Sequence, residues 1–374
     1  MTEFGSSEPF TLGIEEEFQI LDPETGELVS RIDEVMGKAE PGIEQNLQSE
    51  LFQALVETAS DICADIDELR EDVCRLRGAL IDTMADKGYT IAAAGTHPFA
   101  LWEEQDYTDR PRYEELIADM RWPAKRELIF GQHVHVAVEN APQAIYVNNG
   151  LRPFLPIILA LSTNSPFWRG VDTGLKSTRV RIFDALPRTG IPREFSSFAD
   201  FQAAIDTLAA GGSIEDVTKI WWDVRPRPDL GTVEMRIPDL PTTVDESIAV
   251  AALTQALVVR LARDFERGEE RPIQHIPEVI DENRWRALRD GLDADLIRVD
   301  EDTDVETMTV ESAVEDTLTL VEDVTKDLGL KDEMATIRDI VERGETGADR
   351  QLRIYEETGD FTEVMTDLVD RTPP

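Results

Sequence analysis

Three short segments place ionisable side chains at every second position, the spacing at which a β-strand turns them to one face. In residues 10–20, Glu15 and Glu17 stand on one side, roughly 6–7 Å apart at two residues' rise. Phe10, Leu12, Ile14, Phe18 and Ile20 stand on the other. Residues 132–139 repeat the design, with His133 and His135 opposed to Val134, Val136 and Val138. Residues 232–237 do so again, with Glu234 and Arg236 opposed to Val233, Met235 and Ile237. Side by side, the polar faces would make a wall of carboxylates and imidazoles. Oxygen ligands with few nitrogens suit a hard cation, Mg²⁺ or Mn²⁺, over zinc or copper. Alternating charge on a solvated sheet face is common in an acidic protein, so one such strand says little. Three together point to a site, and two of the chain's four histidines lie in one of them.

Arginines form a second set. Residues 176–183 read as a strand with Arg179 and Arg181 on one face and Val180 and Ile182 on the other, and Arg225 and Arg227 follow Trp221 and Trp222. In a chain with 37 basic residues against 77 acidic ones, clustered arginines suit an anionic substrate such as a phosphate or a carboxylate. The two tryptophans read as core. No glycine-rich phosphate loop ending in lysine occurs, and no dinucleotide fingerprint precedes a helix. Nothing marks a Ser-His-Asp hydrolase. Nucleotide phosphates would have to be held by metals and arginines.

The positioning elements follow from periodicity. Leu69, Val73, Leu76, Leu80 and Met84 recur at helical spacing through residues 67–87, and Gly88 ends that helix. Beyond Val244 the pattern turns almost wholly helical, clearest over 247–266, 282–292, 310–328 and 332–343. Strands and helices thus segregate along the chain, the mark of an α+β fold. Antiparallel strands suit the proposed wall, because one face can pack while the other stays open. With no repeat and no linker, the chain reads as one catalytic domain, residues 1–374, sheet-rich over 1–243 and helical over 244–374.

Composition narrows the partners. A formal net charge of −40 repels nucleic-acid phosphate and anionic lipid, so neither is expected. Yet 41% of the 374 residues are hydrophobic, which argues for a packed core rather than disorder. Such acidity fits a halophile's protein, since salt screens the self-repulsion. Cys63 and Cys74 make no disulfide framework. Residues 1–9 lack the features of a secretory signal, and the apolar runs at 154–161 and 248–259 fall short of a membrane span. A soluble, cytoplasmic protein is expected.

Seven segments also resemble the bacterial and plant-type glutamate–cysteine ligase family: Gly13-Ile-Glu-Glu-Glu-Phe18, Ala54-Leu-Val-Glu-Thr58, Gly95-Thr-His-Pro-Phe99, Gly131-Gln-His-Val-His-Val136, Asn164-Ser-Pro-Phe-Trp168, Pro187-Arg-Thr-Gly190, and Trp222-Asp-Val-Arg-Pro226 with Thr232-Val-Glu-Met-Arg236. Residues 344–360 match as well, so the resemblance covers nearly the whole chain. It implies a glutamine-synthetase-like antiparallel catalytic sheet with packed helices, binding ATP and two or three Mg²⁺ (or Mn²⁺) ions and joining glutamate to cysteine. By position, Glu15, Glu17, Glu57, His133 and Glu234 would hold the metals. His135 would lie near the nucleotide phosphates, with Arg225 also on the nucleotide side. Arg179 would clamp a substrate carboxylate, and Arg236 would stabilise the transferring phosphoryl group. Glu16 faces the apolar side and is left out; Glu50 is a weaker candidate. Two alternatives stay open, a relative using another amine and a non-catalytic metal- or nucleotide-binding regulator.

The −40 charge carries the first prediction. The thermal midpoint should rise from dilute buffer to molar KCl, as screening relieves carboxylate repulsion. Melts in the two buffers decide it; an equal or higher midpoint in dilute buffer removes the halophile reading.

Overall fold

The computed structural model describes residues 3–36, 43–273, 276–299 and 305–374. The first alternating segment becomes β1 (Leu12–Leu21). It is followed by β2 (Leu47–Ser49), β3 (Leu55–Ala59), β4 (Thr90–Ala92), β5 (Gln132–Ala137), β6 (Val224–Arg227) and β7 (Thr232–Met235). Among the described residues these seven build one sheet in the order β6-β7-β5-β1-β3-β2, with β4 pairing the far end of β1. Every pairing is antiparallel. The fold is therefore α+β with an antiparallel central sheet.

Helices cover the apolar face. α1 (Ile66–Ala85) starts where the Asp65 carboxylate accepts the Glu68 N–H at 3.0 Å. Gly88, at φ +79°, turns the chain away after it. α2 (Ala141–Leu151) and α3 (Leu155–Ser162) run in sequence, and α4 (Thr178–Phe183) is a short helix. α5 (Val244–Arg267) opens on a capping box between Thr243 and Glu246. Leu12, Ile14, Val134, Val136, Val233 and Met235 of the sheet share one buried core with Ile248, Ala252 and Leu257 of α5. The stretch Ala141–Ser162 has a mean hydropathy of 1.3 and the length of a membrane span, beyond what its single runs suggest. Its apolar window is 89% buried inside the fold, where it serves as core.

Two expectations need correction. Residues 178–183 are helical, not extended; four alternating residues satisfy either period, and Arg179 and Ile182 lie three apart on the buried side. The C-terminal part also contains an antiparallel hairpin, β8 (Asp295–Val299) with β9 (Val305–Thr309). β9 is almost wholly exposed and β8 buries Leu296 alone, so neither offered an alternating apolar face to read.

One charged pair sits inside the apolar layer. Glu16 points from β1 toward α1, where the Arg77 guanidinium grips it with Nε–Oε2 at 3.0 Å and Nη2–Oε1 at 2.6 Å. Ser247 Oγ donates to the same carboxylate at 2.6 Å. Arg77 also donates to the carbonyls of Thr242 (2.8 Å) and Thr372 (3.2 Å). Both side chains are essentially fully buried. Breaking a buried pair on one side strands the other charge, at a cost of about 3–5 kcal/mol. Glu16→Gln should therefore lower unfolding free energy by about that much in a denaturant titration, although residue parity alone would make it a mild change.

Candidate active site

Strand register assembles the site. Glu15 on β1 lies opposite His133 on β5, and Glu17 lies opposite Glu57 on β3. His135 pairs with Glu234 on β7, and Glu234 pairs with Arg225 on β6. The alternating segments thus bring their polar faces together on the side away from α5. His133 Nδ1 lies 2.8 Å from Glu15 Oε2. His135 Nε2 lies 3.5 Å from Glu15 Oε1 and 3.9 Å from Glu234 Oε1. Two groups here have ligand atoms close enough to share a cation: Glu15, Glu57 and His133, and Glu15, His135 and Glu234. Glu15 belongs to both.

The charges are unbalanced at one end and balanced at the other. Burial pushes the Glu57 carboxyl well above the usual range, and the neighbouring Glu15, Glu50 and Glu17 push it further. Glu50 rises to about 7, from burial and then the charge of Glu17. Burial works against Glu15 too, but its contacts with His133 and His135 hold it well below the usual range. His133 falls below its ordinary value through burial and the Arg236 charge, which leaves a neutral imidazole able to act as a ligand. The Nε2 atoms of His133 and His135 are buried without a hydrogen-bond partner. Crowded carboxylates beside orphaned imidazole nitrogens fit a hard divalent cation of the Mg²⁺ or Mn²⁺ kind.

Glu234 is the opposite case. Burial alone would raise its pKa, but Arg225 and Arg236 hold it well below the usual range. Arg225 Nε reaches it at 2.7 Å, Arg227 Nη1 at 3.1 Å, and Arg236 makes a third contact. Arg225 also donates to the Ile220 carbonyl and is 3% exposed, so its guanidinium is committed within the protein. Arg179 is equally internal. It donates to the carbonyls of Ile237 (3.2 Å) and Arg236 (3.3 Å). It also lies so close to Gly131 that a Cβ there would fall 2.0 Å from Nη2. The Gly131 N–H in turn donates to Glu17 Oε2 at 2.5 Å.

Periodicity gave Glu50 little weight, but the β2–β3 hairpin folds it back toward Glu57, and only that turn could have signalled it. Beside His135 a cavity of about 270 Å³ is lined by Leu12, Ile62, Leu230 and Thr232. Thr232 Oγ1 lies 3.1 Å from His135 Nδ1. Other matching segments build the frame instead. His97 accepts the Phe99 and Ala100 N–H groups on Nδ1 and meets the Gly26 carbonyl at 2.8 Å. Burial lowers its pKa to about 4. Asn164 N–H and the Ser165 and Ser177 hydroxyls all donate to buried Asp239, at 2.7–2.9 Å. The tryptophans also belong to the frame; Trp222 packs against Phe195 and Phe201.

The profile of glutamate-cysteine ligase family 2 matches residues 11–367. A protein of Herpetosiphon aurantiacus named "Putative glutamate--cysteine ligase 2" is 42% identical over 364 residues, 97% of this chain and 93% of its own. A namesake from Sorangium cellulosum is 43% identical over 97% of this chain and 96% of its own. Among solved structures, the glutamate–cysteine ligase of Francisella tularensis in complex with AMP superposes with a TM-score of 0.71 at 14% identity, covering 98% of this chain and 89% of that one. A bifunctional glutathione synthetase from Pasteurella multocida also gives 0.71, at 13% identity, over 97% of this chain and 52% of that one. At such identity the structural likeness is one of fold. The sequence match, running from β1 into the last helix, means that this chain belongs to glutamate-cysteine ligase family 2.

Proposed function

We propose that the protein joins the γ-carboxylate of glutamate to the amine of cysteine at the expense of ATP, in the cytoplasm. The observation that carries this reading is the convergence of Glu15, Glu17, Glu57 and His133 with Arg236 on one sheet face, in a chain of this family. A carboxylate is a poor electrophile. Phosphoryl transfer from ATP gives an acyl phosphate, which the cysteine amine attacks as phosphate leaves.

The residues divide that work. Glu15, Glu17, Glu57 and His133 would hold Mg²⁺ or Mn²⁺, which neutralises phosphate charge and keeps donor and acceptor in line. Glu234 would join a second cation's shell by giving up one arginine contact; otherwise it aims Arg236 at the place where negative charge develops. His135, between Glu15 and the 270 Å³ cavity, is suited to a phosphate oxygen. The apolar lining of that cavity suits a nucleotide base, and the AMP complex of the Francisella enzyme supports the nucleotide reading. Arg225 reaches the nucleotide end only through Glu234.

Purified protein with ATP, Mg²⁺ and glutamate should release phosphate only when cysteine is added. Release with another amine but not with cysteine would replace the acceptor, and silence in low and molar salt would overturn the ligase reading.

The two histidines should differ in kind. His133 stands with two carboxylates that make no direct ion pair with arginine among the described residues, whereas the carboxylate beside His135, Glu234, is already neutralised. His133→Ala should weaken apparent Mg²⁺ or Mn²⁺ affinity about tenfold and regain turnover as metal is raised. His135→Ala should raise the KM for ATP or lower kcat with little change in the metal curve. Metal titrations of the two variants make the comparison; superimposable curves would refute these roles.

A further inference from the structure

Between β3 and α1 the chain carries one residue more than the strand it faces. Glu15 pairs with Ala59 but Leu12 pairs with Cys63, so three steps along β1 face four on the other side. That is a β-bulge, a device that re-aims a side chain. Ser60 holds it: its hydroxyl accepts the Ile14 N–H at 2.9 Å and donates to the Asp61 carbonyl at 3.0 Å. Past the bulge Cys63 lies in the core, whereas Ile62 is 73% exposed. Leu230, in the turn between β6 and β7, is 45% exposed. Single exposed apolar side chains are ordinary. These two, however, reach from either side of β5 and β1 to line the same 270 Å³ cavity.

The walls of that cavity are fixed. The Glu3 N–H donates to the Pro228 carbonyl at 2.7 Å, and Gly231 sits so near Glu3 that a Cβ would fall 2.4 Å from its carbonyl oxygen. The turn carrying Leu230 is thus tied down from outside. Gly13, Ala59 and Ala137 also line the cavity and take up little of it. His135, nine-tenths buried, borders it with an Nε2 that has no partner. Cavities that enclose a whole drug-sized ligand run to about 300–1,000 Å³, so this one suits a base, with the phosphates outside toward His135 and Glu15. The lining hydroxyls are mostly spent. Thr11 donates to the Glu8 carbonyl, Ser60 holds the bulge, and Thr232 lies against His135. The Asp61 carboxylate takes the Asn46 amide. Only the Ser7 hydroxyl is without a partner among the described residues. A hydroxyl is donor and acceptor at once, so it meets the exocyclic amino group of adenine and the exocyclic carbonyl of guanine equally. Resting on the ligase reading above, we infer that Ile62 and Leu230 clamp the base of the nucleotide by apolar contact, and that purine nucleoside triphosphates are taken without selection between adenine and guanine.

Calorimetric titration with Mg²⁺ and the non-hydrolysable imido analogues of ATP and GTP, beside inorganic tripolyphosphate, tests both halves of this. Wild type should bind the two analogues within about tenfold of each other, since a pocket that demands no hydrogen bond from its ligand separates such compounds by about a hundredfold at most. Ile62→Ser and Leu230→Ser should each weaken both analogues about tenfold, the apolar contact being lost. Tripolyphosphate, which has no base, should stay within about twofold. Melting midpoints should stay at or above that of wild type, because both side chains are exposed in the empty protein. Ile62→Phe enlarges the apolar wall and should bind both analogues at least as tightly as wild type. Unchanged analogue affinity in either serine variant, an equal loss of tripolyphosphate, or a serine variant that fails to fold would overturn the clamp. A preference of more than about a hundredfold for one purine in wild type would overturn the lack of selection. If wild type binds the analogues but ligates nothing, the ligase reading fails by itself and the same titrations still judge the clamp. No binding of either analogue by wild type overturns the inference.

Discussion

The whole site depends on the register of β1, and that register is pinned from behind by the Glu16–Arg77 pair. Three consecutive glutamates could slide by one residue and still look much alike, since a slip exchanges the faces of a strand. The apolar residues around them remove the ambiguity: a slip would turn Leu12, Ile14, Phe18 and Ile20 out of the core, and in the register that buries them the guanidinium donates to Glu16. Glu15 and Glu17 face the active side because Glu16 is anchored on the other. A residue with no contact to any ligand thereby decides which carboxylates can reach one.

A second constraint is electrostatic. Glu15, Glu17, Glu50 and Glu57 are crowded without enough nearby cations, whereas Glu234 is in direct contact with three arginines. The sheet face therefore runs from a region that attracts positive charge to one already neutral. Such a gradient orients a ligand with cations at one end and phosphates along its length, without a glycine-rich loop. Of the chain's 37 basic residues, 30 are arginines, and several hold the frame rather than face solvent: Arg77, Arg179, Arg225 and Arg284 are all buried.

The strands bearing chemistry were legible because their faces differ so sharply in polarity, and β1, β5 and β7 begin within a few residues of their expected positions. The long helices were legible for the same reason. What escaped notice was whatever depends on two distant segments. Arg179 carries the residue type that suits a substrate carboxylate, and only the fold shows its Nη1 and Nη2 turned to main-chain carbonyls. Glu16 looked dispensable because its partner sits 61 residues away. Glu50 needed a hairpin to bring it in, and the 178–183 helix was too short for its period to speak. The matching segments around His97 and Asn164 turn out to join loops, the second through Asp239, a role that local pattern does not separate from chemistry.

The tie between Arg77 and Thr372 has a consequence for biosynthesis. The guanidinium that fixes β1 donates to a carbonyl 295 residues later in the chain, and the Thr372 hydroxyl accepts the Ala93 N–H next to β4. At ~5–20 residues per second, a ribosome delivers that residue about 15–60 s after Arg77 is made. Until then the central sheet waits with donors unmet and its β4 end uncovered. A stop codon before Thr372 would leave the anchor of the first strand one acceptor short and the Ala93 N–H without its partner.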